Sequence, residues 1–135
     1  MLERNWILLD AEDVSLGRLA SFAANKLMGK DKPNFAPHHI DNGDFVVVIN
    51  SAKTKITGRK ANDKKYYFHS GYPGGLKTFN YKDMMKKDPT FAIFHAVKGM
   101  LPKNKLADAM LKKLKVYPSE NHPHIAQKPT KVDLV

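Results

Sequence analysis

The segment spanning residues 69–78 carries the residue types of a phosphate-binding loop. Three positions are in register with the nucleotide-binding pattern G-x-x-x-x-G-K-[ST], namely Gly71, Lys77 and Thr78. Leu76 stands where the second glycine belongs and keeps the backbone away from a phosphate, while Pro73 removes one N–H donor. These departures argue against nucleotide hydrolysis.

Two interpretations of this glycine-rich segment stay open. Its small residues are typical of a hairpin turn. The segment could also bind a nucleic-acid phosphate through its remaining N–H groups, with Tyr72 stacking or hydrogen-bonding. Under that second interpretation the predicted RNA-binding residues of the loop are His69, Ser70, Gly71, Tyr72, Gly74, Gly75 and Lys77.

Histidines are the only other candidates for metal or acid–base chemistry. The pairs His38-His39 and His122-Pro-His124 do not match familiar ligand spacings, and the chain has no cysteine to complete a site. No Ser/His/Asp arrangement or carboxylate pair can be singled out. We therefore predict no catalytic residue, no bound metal and no cofactor.

Positive charge is concentrated in the middle of the chain. The 135 residues hold 23 Lys and Arg against 13 Asp and Glu, a net charge of +10, and residues 51–115 hold 16 of those basic residues but only four acidic ones. A surface kept basic for solubility alone would interleave acids with bases. The block predicts a polyanionic partner, with nucleic acid ahead of an anionic membrane.

The basic residues fall into two groups. The first precedes the aromatic segment Tyr66-Tyr67-Phe68, which suits RNA because phosphates take the charge and unstacked bases take the rings. We predict RNA contacts in that group from Lys53, Lys55, Arg59, Lys60, Lys64 and Lys65. We also predict RNA contacts from a second group further along the chain, which comprises Lys98, Lys103, Lys105, Lys112, Lys113 and Lys115.

The first half of the chain predicts a strand, a helix and a second strand. Residues 6–10 and 45–49 are continuous apolar runs typical of buried parallel strands. Between them Ser15 is placed to cap a helix whose apolar stripe reaches Leu27, and Gly29 is placed to stop it. Residues 30–44 predict a loop. This order favours an α/β fold around a mainly parallel sheet.

The second half predicts shorter elements. Residues 55–57 and 66–69 are predicted as strands of a basic arm or hairpin, and residues 81–87 as a brief helix. Asp88 is predicted to cap the next helix, with Pro89 at its first position. A third helix over 105–114, capped by Asn104, and a strand over 115–117 follow. The proline-containing stretch 118–135 is predicted to be an extended tail.

Length and composition point to one domain over residues 1–135. No apolar run is long enough to span a bilayer, and the absence of cysteine fits a reducing compartment, so we expect a cytoplasmic protein without a membrane partner.

From end to end the chain resembles the universal family thirteen of large-subunit ribosomal proteins, in its bacterial form. The resemblance rests on segments in order: Trp6 with the strand to Asp10, Leu16-Gly17-Arg18-Leu19-Ala20, Gly43-Asp44 leading to Val48-Ile49-Asn50, Thr57-Gly58, His69 to Lys77, Ala96-Val97-Lys98-Gly99-Met100-Leu101-Pro102, Leu111 to Tyr117, and His122-Pro123-His124.

The resemblance implies a single α/β domain with three layers, α/β/α, around a parallel sheet. It implies basic extensions that bind large-subunit ribosomal RNA early in subunit assembly, with neighbouring large-subunit proteins as further partners. It implies no catalysis, no cofactor and no small-molecule substrate. Two other functions are kept as alternatives: an enzyme acting on nucleotides through the Gly71 loop, and an RNA regulator that works away from the ribosome.

Overall fold

A parallel pair of strands forms the centre of the fold. The computed structural model describes residues 5–29, 43–54, 64–103 and 105–132. Strand β1 (Trp6–Asp10) runs parallel to β2 (Phe45–Ile49), with Leu8 opposite Val47. Both predicted strands are confirmed with their boundaries. The predicted loop at 30–44 lies mostly outside the described residues.

Helix α1 (Leu16–Met28) follows β1 in sequence and buries the predicted apolar stripe. Gly29 ends it with a left-handed backbone (φ 74°), and its N–H donates to the carbonyl of Asn25. Ser15 does precede the helix, and its carbonyl accepts the first intrahelical bond from Leu19. Ser15 is therefore the N-cap residue, as predicted, although its side chain makes no capping hydrogen bond.

Two further strands complete a parallel sheet of order β5-β2-β1-β6. Strand β5 (Leu114–Val116) lies beside β2, and β6 (Thr130–Val132) lies beside β1. The predicted extended tail is therefore only partly right, because it contains a 3₁₀ turn (Ile125–Gln127) and then an edge strand.

Besides a 3₁₀ turn (Ser51–Lys53), the described residues also form a separate antiparallel hairpin and three further α-helices. The hairpin joins β3 (Lys65–His69) to β4 (Leu76–Asn80), and the helices are α2 (Tyr81–Lys87), α3 (Phe91–Met100) and α4 (Lys105–Leu111). The predicted strand 55–57 and the predicted Asn104 cap lie outside the described residues.

Two predicted helix boundaries are corrected. Helix α3 begins at Phe91 rather than at Pro89. The Asp88 carboxylate accepts hydrogen bonds from the N–H and hydroxyl of Thr90, which closes the turn between α2 and α3. Helix α4 ends three residues early because Leu114 is already paired with Val46 in the sheet, and β5 accordingly begins one residue before the predicted strand.

One face of the sheet carries the hydrophobic core. Ile7 and Leu9 of β1 and Val46 and Val48 of β2 belong to a single buried cluster with residues of all four helices. On the opposite face Trp6 stacks on Phe45 at 4.4 Å between ring centroids, and the C-terminal segment supplies a tilted contact from the ring of His124 at 5.2 Å. The α/β class and the parallel sheet are confirmed.

Candidate nucleic-acid interface

The hairpin separates its aromatic rings onto two faces. Tyr66 is buried and meets Phe91 edge to face at 5.1 Å, while Phe68 contacts the same ring at 5.6 Å. Tyr67 alternates with them and is 64% exposed. Successive side chains of a strand point to opposite faces, so Tyr67 lies on the face opposite to Tyr66 and Phe68.

The glycine-rich segment is the turn of this hairpin. Gly71 and Gly74 have positive φ values of 88° and 72°, which glycine adopts without steric penalty. The N–H of Gly71 donates to Nδ1 of His69 at 2.9 Å, and the N–H of Gly75 donates to the carbonyl of Tyr72 at 2.9 Å. These two donors stabilise the turn itself rather than facing a ligand.

The hairpin position of this segment differs from that of a nucleotide-binding loop. Such a loop leads from a strand into a helix, whereas Leu76, Lys77 and Thr78 lie in β4. Gly75 serves a local purpose, because a Cβ there would lie 2.0 Å from Oγ of Ser70. The turn does present Tyr72 outward, with 76% of the residue exposed.

Most of the predicted basic residues lie at the surface. Arg59, Lys55 and Lys60 are outside the described residues, and Lys64 is half-buried with its ammonium 5.8 Å from the ring centroid of Tyr66. The exposed members are Lys53, Lys65, Lys77, Lys98, Lys103, Lys105, Lys112 and Lys115. Among these, Lys53 lies 3.8 Å from the Glu12 carboxylate in an exposed ion pair.

Lys113 is the exception and does not belong to this surface. It is only 4% exposed, and its Nζ donates to the carbonyl of Leu27 in the last turn of α1 at 3.4 Å. A cation at this end of a helix satisfies a free carbonyl and interacts favourably with the helix dipole. The prediction that Lys113 contacts RNA is corrected, because its ammonium holds α1.

Three exposed lysines meet at a groove between the end of α3 and α4. The groove has a volume of about 760 Å³, and its polar lining consists of His95, Lys98, Lys103, Lys105 and Asp108. Sequence reasoning identified the lysines but missed His95 and Asp108. A usable signal was the spacing of His95 and Lys98, because side chains three residues apart share a helix face.

The electrostatics of His95 reflect this concentration of positive charge. Its ring contacts Tyr66 at 5.3 Å and Phe91 at 5.3 Å. Burial lowers the pKa of His95, and the positive charges of Lys64 and Lys98 lower it further. The imidazole is therefore neutral at pH 7 and above.

A recess lined by aromatic rings lies beneath the hairpin. Phe68, Phe79 and Phe91 line it, and Lys87 places its ammonium 4.8 Å from the ring centroid of Phe79. Sequence reasoning did not include Lys87, and nothing local distinguished it from neighbouring solvated lysines.

The C-terminal histidines use their ring nitrogens internally. Nε2 of His124 and the Tyr117 hydroxyl are 2.7 Å apart, and the N–H of His124 donates to Nδ1 of His122 at 3.2 Å. The described ranges contain no group of three potential metal ligands, and none of their helices is long and apolar enough to cross a membrane. His38 and His39 lie outside those ranges.

Comparisons with known proteins give a consistent result. The family model for Ribosomal protein L13 matches residues 4–123. The large ribosomal subunit protein uL13 of Caldanaerobacter subterraneus subsp. tengcongensis is 56% identical over 98% of this chain and 92% of its own. The uL13 of Desulfovibrio desulfuricans is 56% identical with the same coverage, and that of Kocuria rhizophila is 56% identical over 95% of this chain and 86% of its own.

Proposed function

Because this chain belongs to the Ribosomal protein L13 family, we propose that its exposed basic side chains from Lys65 to Lys115 form the surface that binds large-subunit ribosomal RNA. The protein is a structural constituent of the large ribosomal subunit and supports its assembly, without catalysis of its own. As part of the ribosome it works in the cytoplasm.

The exposed lysines of the described second half carry this proposal. They are Lys65 and Lys77 on the hairpin, Lys98, Lys103 and Lys105 at the groove, and Lys112 and Lys115 further along the chain. Tyr67 and Tyr72 stand exposed on the hairpin beside them. Ammonium groups with nearby exposed rings are the combination that binds RNA phosphates and unstacked bases.

We also propose that residues 1–135 act as one domain. The buried cluster joins β1, α1 and β2 to helices α2, α3 and α4, so the basic surface is attached to the same core as the parallel sheet. Neighbouring large-subunit proteins are proposed as further partners, because the relatives are themselves proteins of the large subunit.

Sucrose-gradient fractionation tests the assignment directly. The full chain, carrying a small C-terminal epitope, should co-sediment with the large subunit and its precursors. Purified protein should also bind a large-subunit RNA transcript with an affinity that falls steeply as salt is raised. Sedimentation only with ribosome-free RNA would instead support a regulator that acts away from the ribosome.

A further inference from the structure

We propose that the groove between the end of α3 and α4 holds a single unstacked nucleotide of RNA, with its phosphate on the lysines and its base on the apolar floor. The inference rests on the proposed function, because it takes RNA as the ligand. It goes beyond the proposed function by stating which form of RNA this part of the surface binds, namely an unpaired nucleotide rather than a duplex.

The size and lining of the groove fit one nucleotide. Its volume of about 760 Å³ lies within the range of small-ligand sites. The floor is formed by Pro102, Ala107 and Leu111, which present apolar surface to a flat ring. A duplex keeps its bases stacked inside and offers phosphates and shallow groove edges instead, so it would leave this floor uncovered.

The charged rim fits the phosphate of the same nucleotide. Lys98 comes from α3, Lys103 from the connection and Lys105 from the start of α4, and all three are exposed. Three ammonium groups from successive parts of the chain therefore border one groove. Such an arrangement neutralises adjacent phosphates of a strand that enters and leaves the groove.

Asp108 is the one acidic side chain among the described residues that line the groove. Its carboxylate repels phosphate and, when ionised, only accepts hydrogen bonds. A base with an exocyclic amino group can donate to it, as cytosine N4 does to acidic side chains. Uracil offers a carbonyl oxygen at that position. The groove should therefore favour cytosine over uracil.

His95 completes the wall on the side of the hairpin. Its pKa is lowered by burial and by Lys64 and Lys98, so the ring is neutral at pH 7 and does not add charge. An edge contact with Tyr66 and a tilted contact with Phe91 hold the imidazole in place. A fixed neutral ring suits contact with a base more than contact with a phosphate.

The first experiment compares two double variants of the full chain with equal charge loss. Lys98→Gln/Lys103→Gln alters the groove, and Lys82→Gln/Lys86→Gln removes exposed lysines on α2 that do not line it. Fluorescence anisotropy measures binding to an RNA hairpin with an eight-nucleotide cytosine loop and to a blunt duplex of equal length. We expect the groove variant to lose about tenfold on the loop RNA beyond the control variant. Both variants should weaken duplex binding equally.

Equal losses from the two variants on both RNAs would overturn the inference while leaving the proposed function intact. Failure of the wild-type chain to bind either RNA would overturn the proposed function as well. Circular dichroism melting of each variant separates a folding defect from a binding defect. In the unaltered chain, 5-iodocytidine in the loop, which keeps the amino group of cytosine, should cross-link to peptides within residues 95–111, and cross-links confined to other regions would contradict the groove.

The second experiment tests the base preference. Replacing the cytosine loop with uracil should weaken wild-type binding severalfold, and Asp108→Asn should abolish that difference, because an amide both donates and accepts. Asp108 is exposed, so the substitution leaves the core untouched. A wild-type chain that binds both loops equally would refute the role assigned to Asp108.

Discussion

The ammonium of Lys113 lies 3.4 Å from the carbonyl oxygen of Leu27, a residue 86 positions earlier in the chain. Two carbonyls at the end of α1 accept hydrogen bonds from distant segments, Lys26 from the N–H of Asp44 and Leu27 from Lys113, while Asn25 accepts from the cap N–H of Gly29. Position 43 requires glycine, because a Cβ there would lie 1.6 Å from the carbonyl oxygen of Leu27. The end of α1 is thus held by the segments that lead into β2 and β5.

Lys113→Met should destabilise the fold and spare RNA binding. The change removes a buried charged donor and its hydrogen bond to the Leu27 carbonyl, which typically costs about 1–3 kcal/mol. Urea unfolding measures the loss. The matched control is the exposed neighbour, Lys112→Met, which should keep the free energy of unfolding and weaken RNA binding instead. The opposite pattern would show that Lys113 reaches the RNA.

Leu27→Ala should also affect folding alone. Leu27 is fully buried on the core side of α1, so the truncation leaves a cavity and costs about 2–5 kcal/mol. Thermal melting with far-UV circular dichroism reports the change. An unaltered melting temperature together with weakened RNA binding would mean that this face of α1 contacts RNA.

Neutralising the hairpin should reduce the salt dependence of RNA binding. Lys65 and Lys77 are exposed on β3 and β4, and Lys65→Gln/Lys77→Gln should make the slope of log affinity against log salt shallower by about 0.7–0.9 for each phosphate that is no longer neutralised. The slope is measured by anisotropy titrations over a range of potassium chloride concentrations. A slope identical to that of the wild-type chain would remove the hairpin from the interface.

Gly74→Val should impair incorporation into large subunits while the isolated chain stays folded. Gly74 has a φ of 72°, a region that costs a side-chain-bearing residue about 1–2 kcal/mol. The turn lies outside the parallel sheet, so the strain should remain local. Gradient fractionation measures incorporation and melting measures folding. Gly17→Ala, in the exposed part of α1 with open space around it, is the control expected to incorporate normally. Normal incorporation of the Gly74 variant would show that the turn tolerates a side chain and has no specific role in incorporation.

Acidification should weaken the attachment of the C-terminal segment. Burial lowers the pKa of His124, and the charges of His122 and Lys115 lower it further, so the native state favours the neutral ring. In the unfolded chain His124 has the ordinary histidine pKa of about 6.5. Just below pH 6.5 the unfolded state therefore binds more protons than the native state. Stability is therefore full above that pH and declines as the pH falls below it. Urea unfolding at pH 7.5 and 5.5 should show a smaller difference for His124→Gln than for the wild-type chain. An equal difference between the two pH values in both proteins would show that His124 does not cause the pH dependence of stability.

Local pattern was sufficient for the elements of the first half. The apolar runs of β1 and β2 and the stripe and stop signal of α1 depend on neighbouring residues, and all three elements appear where predicted. The alternation of Tyr66, Tyr67 and Phe68 places neighbouring rings on opposite faces, but the burial of Tyr66 rather than Tyr67 depends on its packing against Phe91. The three elements and the alternation follow from the periods of helices and strands, which are properties of the chain itself.

Tertiary structure alone decided the features that join distant segments. Thr130–Val132 has no strong strand signal, yet it completes the sheet because β1 leaves an open edge for its backbone hydrogen bonds. Lys113 is indistinguishable in sequence from Lys112, but the start of β5 turns it toward the end of α1. The groove lysines were predicted from charge, whereas their meeting with His95 and Asp108 depends on how α3 and α4 pack. Charge and periodicity are properties of neighbouring residues in the sequence. The contacts of a side chain with distant segments depend on how the elements pack in the fold.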